Sequence, residues 1–104
     1  MIVYQVRAVV PEDKVTVFKD FMLGHHLEDL VKTGCFSTAR MYHELTHPTE
    51  GSQTFVCEYI APSEELMKKY LTEFAPGLRT QTQQTLGTSI TYTRQFLTQS
   101  TTQF

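Results

Sequence analysis

His26 and Asp29 stand three residues apart in the run MLGHHLEDL, a spacing that sets two side chains on neighbouring turns of one helix face. A carboxylate holding one imidazole nitrogen leaves the other free to take or give a proton, so the two are the candidate catalytic residues. The competing reading of His26 is a packed, hydrogen-bonded histidine near a helix C-terminus with no chemical role. His25 is turned by about 100° from His26. The two therefore cannot chelate one ion as a pair, and His25 faces solvent with Asp29 four residues on.

His43 shares a strand face with Met41, and on that face it approaches His26 across a helix–sheet gap. Tyr4, His26, His43 and Tyr59 are thus the candidate ligand-binding residues, with Tyr70 and Tyr92 adding aromatic wall. Aromatics at such spacings more often fill a core, and their hydroxyls need partners once buried. No ligand-spacing signature for a metal is present, and two histidines alone make a poor metal site. Cys57 near His43 is a candidate thiolate, although no nucleophile motif surrounds it. Cys35 lies many residues along the ladder from Cys57, too far to bridge. No cofactor is expected.

The elements that must position these residues alternate between strand and helix periods. Ile2 to Val10 alternates as a strand, with Ile2, Tyr4, Val6, Ala8 and Val10 on its core face. A helix follows from about Pro11 to Lys32, its buried stripe being Val15, Phe18, Met22, His26 and Leu30. Gly24 invites a bend in it, and Thr33-Gly34 closes it. Cys35 to Leu45 and Thr54 to Ala61 form a hairpin across the Pro48–Gly51 turn. Ser63 caps a second helix, which Pro76-Gly77 should break or kink; a further piece runs from about Leu78 to Leu86. Thr88 to Leu97 is the last strand.

The order strand, helix, strand, strand, helix, strand predicts an α+β, ferredoxin-like fold. It has a four-stranded antiparallel sheet and both helices on one face. Residues 1–97 form one domain, and 98–104 are a polar C-terminal tail. The other sheet face would show Gln5, Arg7, Arg40, Tyr42, Val56, Glu58, Ile60, Thr91 and Thr93, too apolar and aromatic a mixture for so wide a wet surface. A second copy laid against it would close a barrel, so the chain itself is the expected partner, as a homodimer.

The 104 residues carry a net charge of −2, with nine Lys and Arg against eleven Asp and Glu. No basic stripe offers a grip on a phosphate backbone, which argues against nucleic acid as a partner. The opening MIVYQVRAVV is neither a leader nor a membrane span, and two cysteines make no disulfide scaffold, so a cytoplasmic setting is expected.

The opening MIVYQV, the run HLEDLVKTGCF and the later APGLR resemble a small bacterial family known only as a domain of unknown function, of the dimeric α+β barrel group. The resemblance implies a homodimer of ferredoxin-like subunits. The group also holds cofactor-free monooxygenases and haem-degrading enzymes. Of the Asn, Trp and His that its oxygenases use, only His has a counterpart here, His26, for the chain contains no Asn and no Trp. Two functions are expected from this. One is a small protein that binds an apolar or aromatic molecule between helices and sheet. The alternative is a monooxygenase or isomerase, cofactor-free or haem-dependent, with a histidine proton shuttle.

Overall fold

A computed structural model describes residues 1–102. Four strands, β1 (Ile2–Pro11), β2 (Thr38–His43), β3 (Ser52–Ala61) and β4 (Thr91–Leu97), form one sheet in the order β2-β3-β1-β4. Every pairing is antiparallel. The helices lie on one face, which makes this the ferredoxin-like α+β fold. The alternation read in β1 and β3 is the one the sheet uses: Tyr4, Ala8 and Val10 are buried with Phe55, Cys57, Tyr59 and Ala61. Successive strand residues face opposite sides, so these share the helix side.

The first helical segment opens with a tight turn over Glu12–Lys14 and continues as α1 (Val15–Phe21) and α2 (Leu27–Lys32). A wide π-type turn, Met22–His26, joins α1 to α2 without interrupting the helix. Gly24 lies in that turn, and nothing stands within 4 Å of where its Cβ would be. A residue with no side chain thus occupies the point where the helix widens. Thr33 and Gly34 end the segment as expected. Gly34 takes φ +81 and donates to the Val31 carbonyl at 3.0 Å, a left-handed closure that suits glycine.

The second helical segment does not break at Pro76-Gly77. It runs through α3 (Glu64–Lys69), a second wide turn Tyr70–Phe74, and α4 (Ala75–Leu86). Pro76 sits in the first turn of α4. Proline in a helix lacks a donor and presses on the carbonyl one turn back, and the widened turn just before it absorbs both defects. Ser63 caps α3 by accepting from the Leu66 amide at 3.2 Å.

Two strands are shorter than their alternation suggested. Cys35 and Phe36 are buried but lie before β2, which stops at His43; Leu45, beyond it, is 83% exposed. β4 begins at Thr91, after the buried Ile90. Thr98 to Thr102 are in neither helix nor strand, and the remaining two tail positions lie outside the described residues.

Candidate functional site

Between the sheet and the helices lies a cavity of about 310 Å³. Its floor is Tyr4, Val6 and Ala8 of β1 with Cys57 and Tyr59 of β3. The first helical segment roofs it with Phe18, Met22, His26 and Leu30, and the second adds Tyr70, Arg79, Thr82 and Gln83. The remaining lining, Gly87, Thr88, Ile90, Tyr92 and Arg94, comes from the end of α4 and the start of β4. Both wide turns supply lining residues, Met22 and His26 from one and Tyr70 from the other. An inserted residue rotates the helix beyond it about the axis, and such turns are frequent where a helix faces a site.

His26 is buried to 9% exposure, and its ring stacks on Phe21 with centroids 4.9 Å apart. Its Nδ1 is buried with no hydrogen-bond partner. Loss of solvent lowers its pKa from 6.5 to about 4, Asp29 pulling weakly the other way, because burial penalises the charged ring. His26 is therefore a neutral imidazole at neutral pH.

The expected His26–Asp29 pair does not form. Asp29 Oδ2 lies 2.8 Å from His25 Nδ1, on the exposed side of the helix. His26 is turned inward with Phe18 and Leu30, and Asp29 pairs with the outward histidine four residues before it. His43 does not reach the cavity either. It is on the helix side of β2 by register, opposite Phe55, and stacks on that ring at 4.9 Å, but it is exposed. β2 is an edge strand, and His43 is its last residue. Of the expected ligand-binding residues, Tyr4, His26 and Tyr59 meet at the cavity and His43 does not.

Tyr4, Tyr59 and Tyr70 form one connected wall. Tyr4 lies 5.8 Å from Tyr59, 5.9 Å from Tyr70 and 5.4 Å from Phe96, centroid to centroid. Burial holds the Tyr59, Tyr70 and Tyr92 phenols above their ordinary pKa, so all are neutral donors. The Tyr92 hydroxyl is a second buried polar atom without a partner. Cys57 is buried, and loss of solvent pushes its thiol up to about 12, which leaves no thiolate for nucleophilic work. Among the described residues no three His, Cys, Asp or Glu side chains cluster as metal ligands would. Cys35 and Cys57 are both free.

Two charged lining residues were missed in the sequence, Arg79 and Arg94. Both carried a signal. Arg94 alternates with Tyr92 and Phe96, placing a charge on the inner face of β4. Arg79 precedes Gln83 and Leu86 at helical spacing on α4. Arg79 Nη2 donates to the Tyr4 hydroxyl at 3.3 Å, and the Arg94 guanidinium lies over the Tyr92 ring, 5.4 Å from its centroid.

The family model described as "Domain of unknown function (DUF4286)" matches residues 1–100. No curated protein matches the chain. Among solved structures, a dimeric ferredoxin-like protein from an uncultured marine organism superposes with a TM-score of 0.69 at 12% identity, covering 96% of this chain and 97% of that one. SnoaB, a cofactor-independent oxygenase from Streptomyces nogalater, superposes at 0.57 with 11% identity, over 97% and 95% of the two chains. The de novo designed protein Foldit4 gives 0.59 at 14% identity, over 94% and 97%. A designed chain in this company underlines that the likeness concerns fold alone.

Proposed function

From the premise that the chain belongs to the DUF4286 family, a family of unknown function, we propose that it binds a small apolar or aromatic molecule in the cavity between helices and sheet. The observation that carries this reading is a pair of buried polar atoms on the cavity-lining residues His26 and Tyr92 that have no protein partner. Such groups cost roughly 1–3 kcal/mol each when left unpaired, so a bound molecule whose polar edge reached them would offset that cost. The volume is at the lower end of the ~300–1,000 Å³ typical of small-molecule sites, enough for one small ring system.

The protein acts as a homodimer through the open sheet face. Support comes from the dimeric ferredoxin-like neighbour and from that face itself, where Tyr42 is 46% exposed and Val56 and Ile60 are half-buried. Among the described residues no helix is long and apolar enough to cross a membrane. The two free thiols suit a reducing, cytoplasmic setting.

A monooxygenase or isomerase is the second reading, favoured by the unpartnered Nδ1 of His26 and by the SnoaB likeness. A ring with a pKa near 4 and no carboxylate partner is a weak base, and binding without chemistry accounts for the same features.

The test is a titration of ¹⁵N-labelled protein with neutral and charged naphthalene derivatives, alongside Thr82→Phe, which fills the cavity from a half-buried helix position. Amide shifts at Tyr4, His26 and Tyr59 that vanish in the variant are expected. Absence of binding by every derivative, or shifts confined to the outer sheet face, would overturn the reading.

A further inference from the structure

The cavity lining contains no aspartate or glutamate, although acids outnumber Lys and Arg in the chain by eleven to nine. It does contain two arginines, and both are exposed at its rim. Two cations outside the cavity are answered by acids: Arg7 is held by both oxygens of Glu44, and Lys32 meets Glu28 at 3.3 Å. Among the described residues Arg79 and Arg94 make no ion pair with a carboxylate. Arg79 has the Tyr4 hydroxyl and Arg94 has the face of Tyr92, contacts that fix a guanidinium in place without neutralising it. Lys14 stands beside the same rim, its Nζ 4.0 Å from where a Cβ on Gly87 would lie.

The two guanidiniums act on one region of space. Both line the same cavity, Arg79 touching the Tyr4 hydroxyl and Arg94 the Tyr92 ring, two residues of the same lining. At the rim they stay hydrated and charged without the penalty of full burial, while their field enters a mouth walled by aromatic rings. The guanidinium fork matches a planar oxyanion, a geometry a lysine does not offer.

We propose that the cavity takes a small organic anion, its aromatic or apolar body among the tyrosines and its carboxylate or similar oxyanion held at the mouth by Arg79 and Arg94. This rests on the reading of the cavity as a small-molecule site and adds its charge preference. A neutral His26 deep in the cavity leaves the mouth as the place for the anionic end.

The experiment is calorimetric titration at low salt with three probes of one shape: 1-naphthoate, 1-naphthalenemethanol and 1-naphthylmethylammonium. Naphthoate is expected to bind about tenfold or more tighter than the alcohol, and the ammonium weakest of all. Arg79→Gln and Arg94→Gln should each weaken naphthoate by about fivefold to tenfold while the alcohol stays within about twofold. Equal binding of alcohol and naphthoate overturns the charge assignment and leaves the pocket reading standing. Equal loss of both probes in the glutamine variants overturns the arginines' role, since it shows a structural effect. Failure of all three probes to bind sinks the pocket reading and this inference with it.

Discussion

Asp29 Oδ2 stands 2.8 Å from His25 Nδ1, and the neighbouring His26 has no carboxylate of its own. That pair is on the outside of the helix, with His25 46% and Asp29 31% exposed at the side chain. Exposed pairs at this spacing are worth about 0.3–0.5 kcal/mol. Asp29→Asn is therefore expected to lower stability by less than about 1 kcal/mol in urea titration and to leave naphthoate affinity within about twofold. A tenfold loss of affinity would return Asp29 to the site.

His26 gives the protein a pH dependence whose sign is fixed by burial. Its folded pKa is about 4, against 6.5 for a solvated ring. Between those values the unfolded chain takes up a proton that the folded one refuses, so stability is full above 6.5 and falls as pH drops toward 4. The gap corresponds to about 3 kcal/mol at most. His26→Leu removes the titrating group. Urea midpoints at about pH 7.5 and pH 4.5 should differ less in the variant than in the parent by an amount of that order. Equal pH slopes in the two proteins would show that His26 is protonated in the fold or open to water.

The core faces were legible because in β1 and, from Phe55 on, in β3 one face is wholly apolar or aromatic, and both strands are central in the sheet. The wide turns were not. Gly24 suggested a bend, and Pro76-Gly77 a break or kink, but a helix can also take up an extra residue and continue, and no local pattern distinguishes these. His43 shows how a correct face can mislead: parity put it on the helix side, while the shortness of edge strand β2 decided its exposure. Arg94 was visible as a charge amid Tyr92 and Phe96, but a lone charge in an edge strand usually reads as solvent-facing. Its meaning depends on Arg79, which comes from another element, and only the tertiary fold brings the two to one mouth.

Cys35 and Cys57 are each at most 1% exposed. With the Cys57 thiol pushed up to about 12, thiolate is scarce at any ordinary pH. Ellman's reagent at about pH 8 should modify neither cysteine in the native protein and both in urea, because reaction then depends on unfolding. Rapid native labelling of Cys57 would reopen a nucleophilic role.

The Tyr92 hydroxyl is buried without a partner. Tyr92→Phe removes an unsatisfied group while keeping the ring under Arg94. The ligand-free variant should be as stable as the parent or firmer by up to about 1 kcal/mol in urea titration. A loss of about 2 kcal/mol would show that the hydroxyl has a partner in the folded protein, such as a bound water.

Val56 is at the centre of the open sheet face, opposite Arg7 on one neighbour strand and Tyr42 on the other. The polar groups around it are occupied sideways. Gln95 donates to Gln5, Gln5 donates to Glu58 at 3.0 Å, and Arg7 is locked to Glu44. Side chains satisfied along the sheet make a flat surface that a twin can cover without stranding donors. In a two-fold dimer each Val56 recurs on the opposing sheet, so Val56→Asp buries two carboxylates at once. An uncompensated buried charge costs about 3–5 kcal/mol. Sedimentation equilibrium should then find the parent dimeric at micromolar concentration and the variant monomeric, with its circular dichroism unchanged. A parent that sediments as a monomer, or a Val56→Asp protein that stays dimeric, would place the interface elsewhere or remove it altogether.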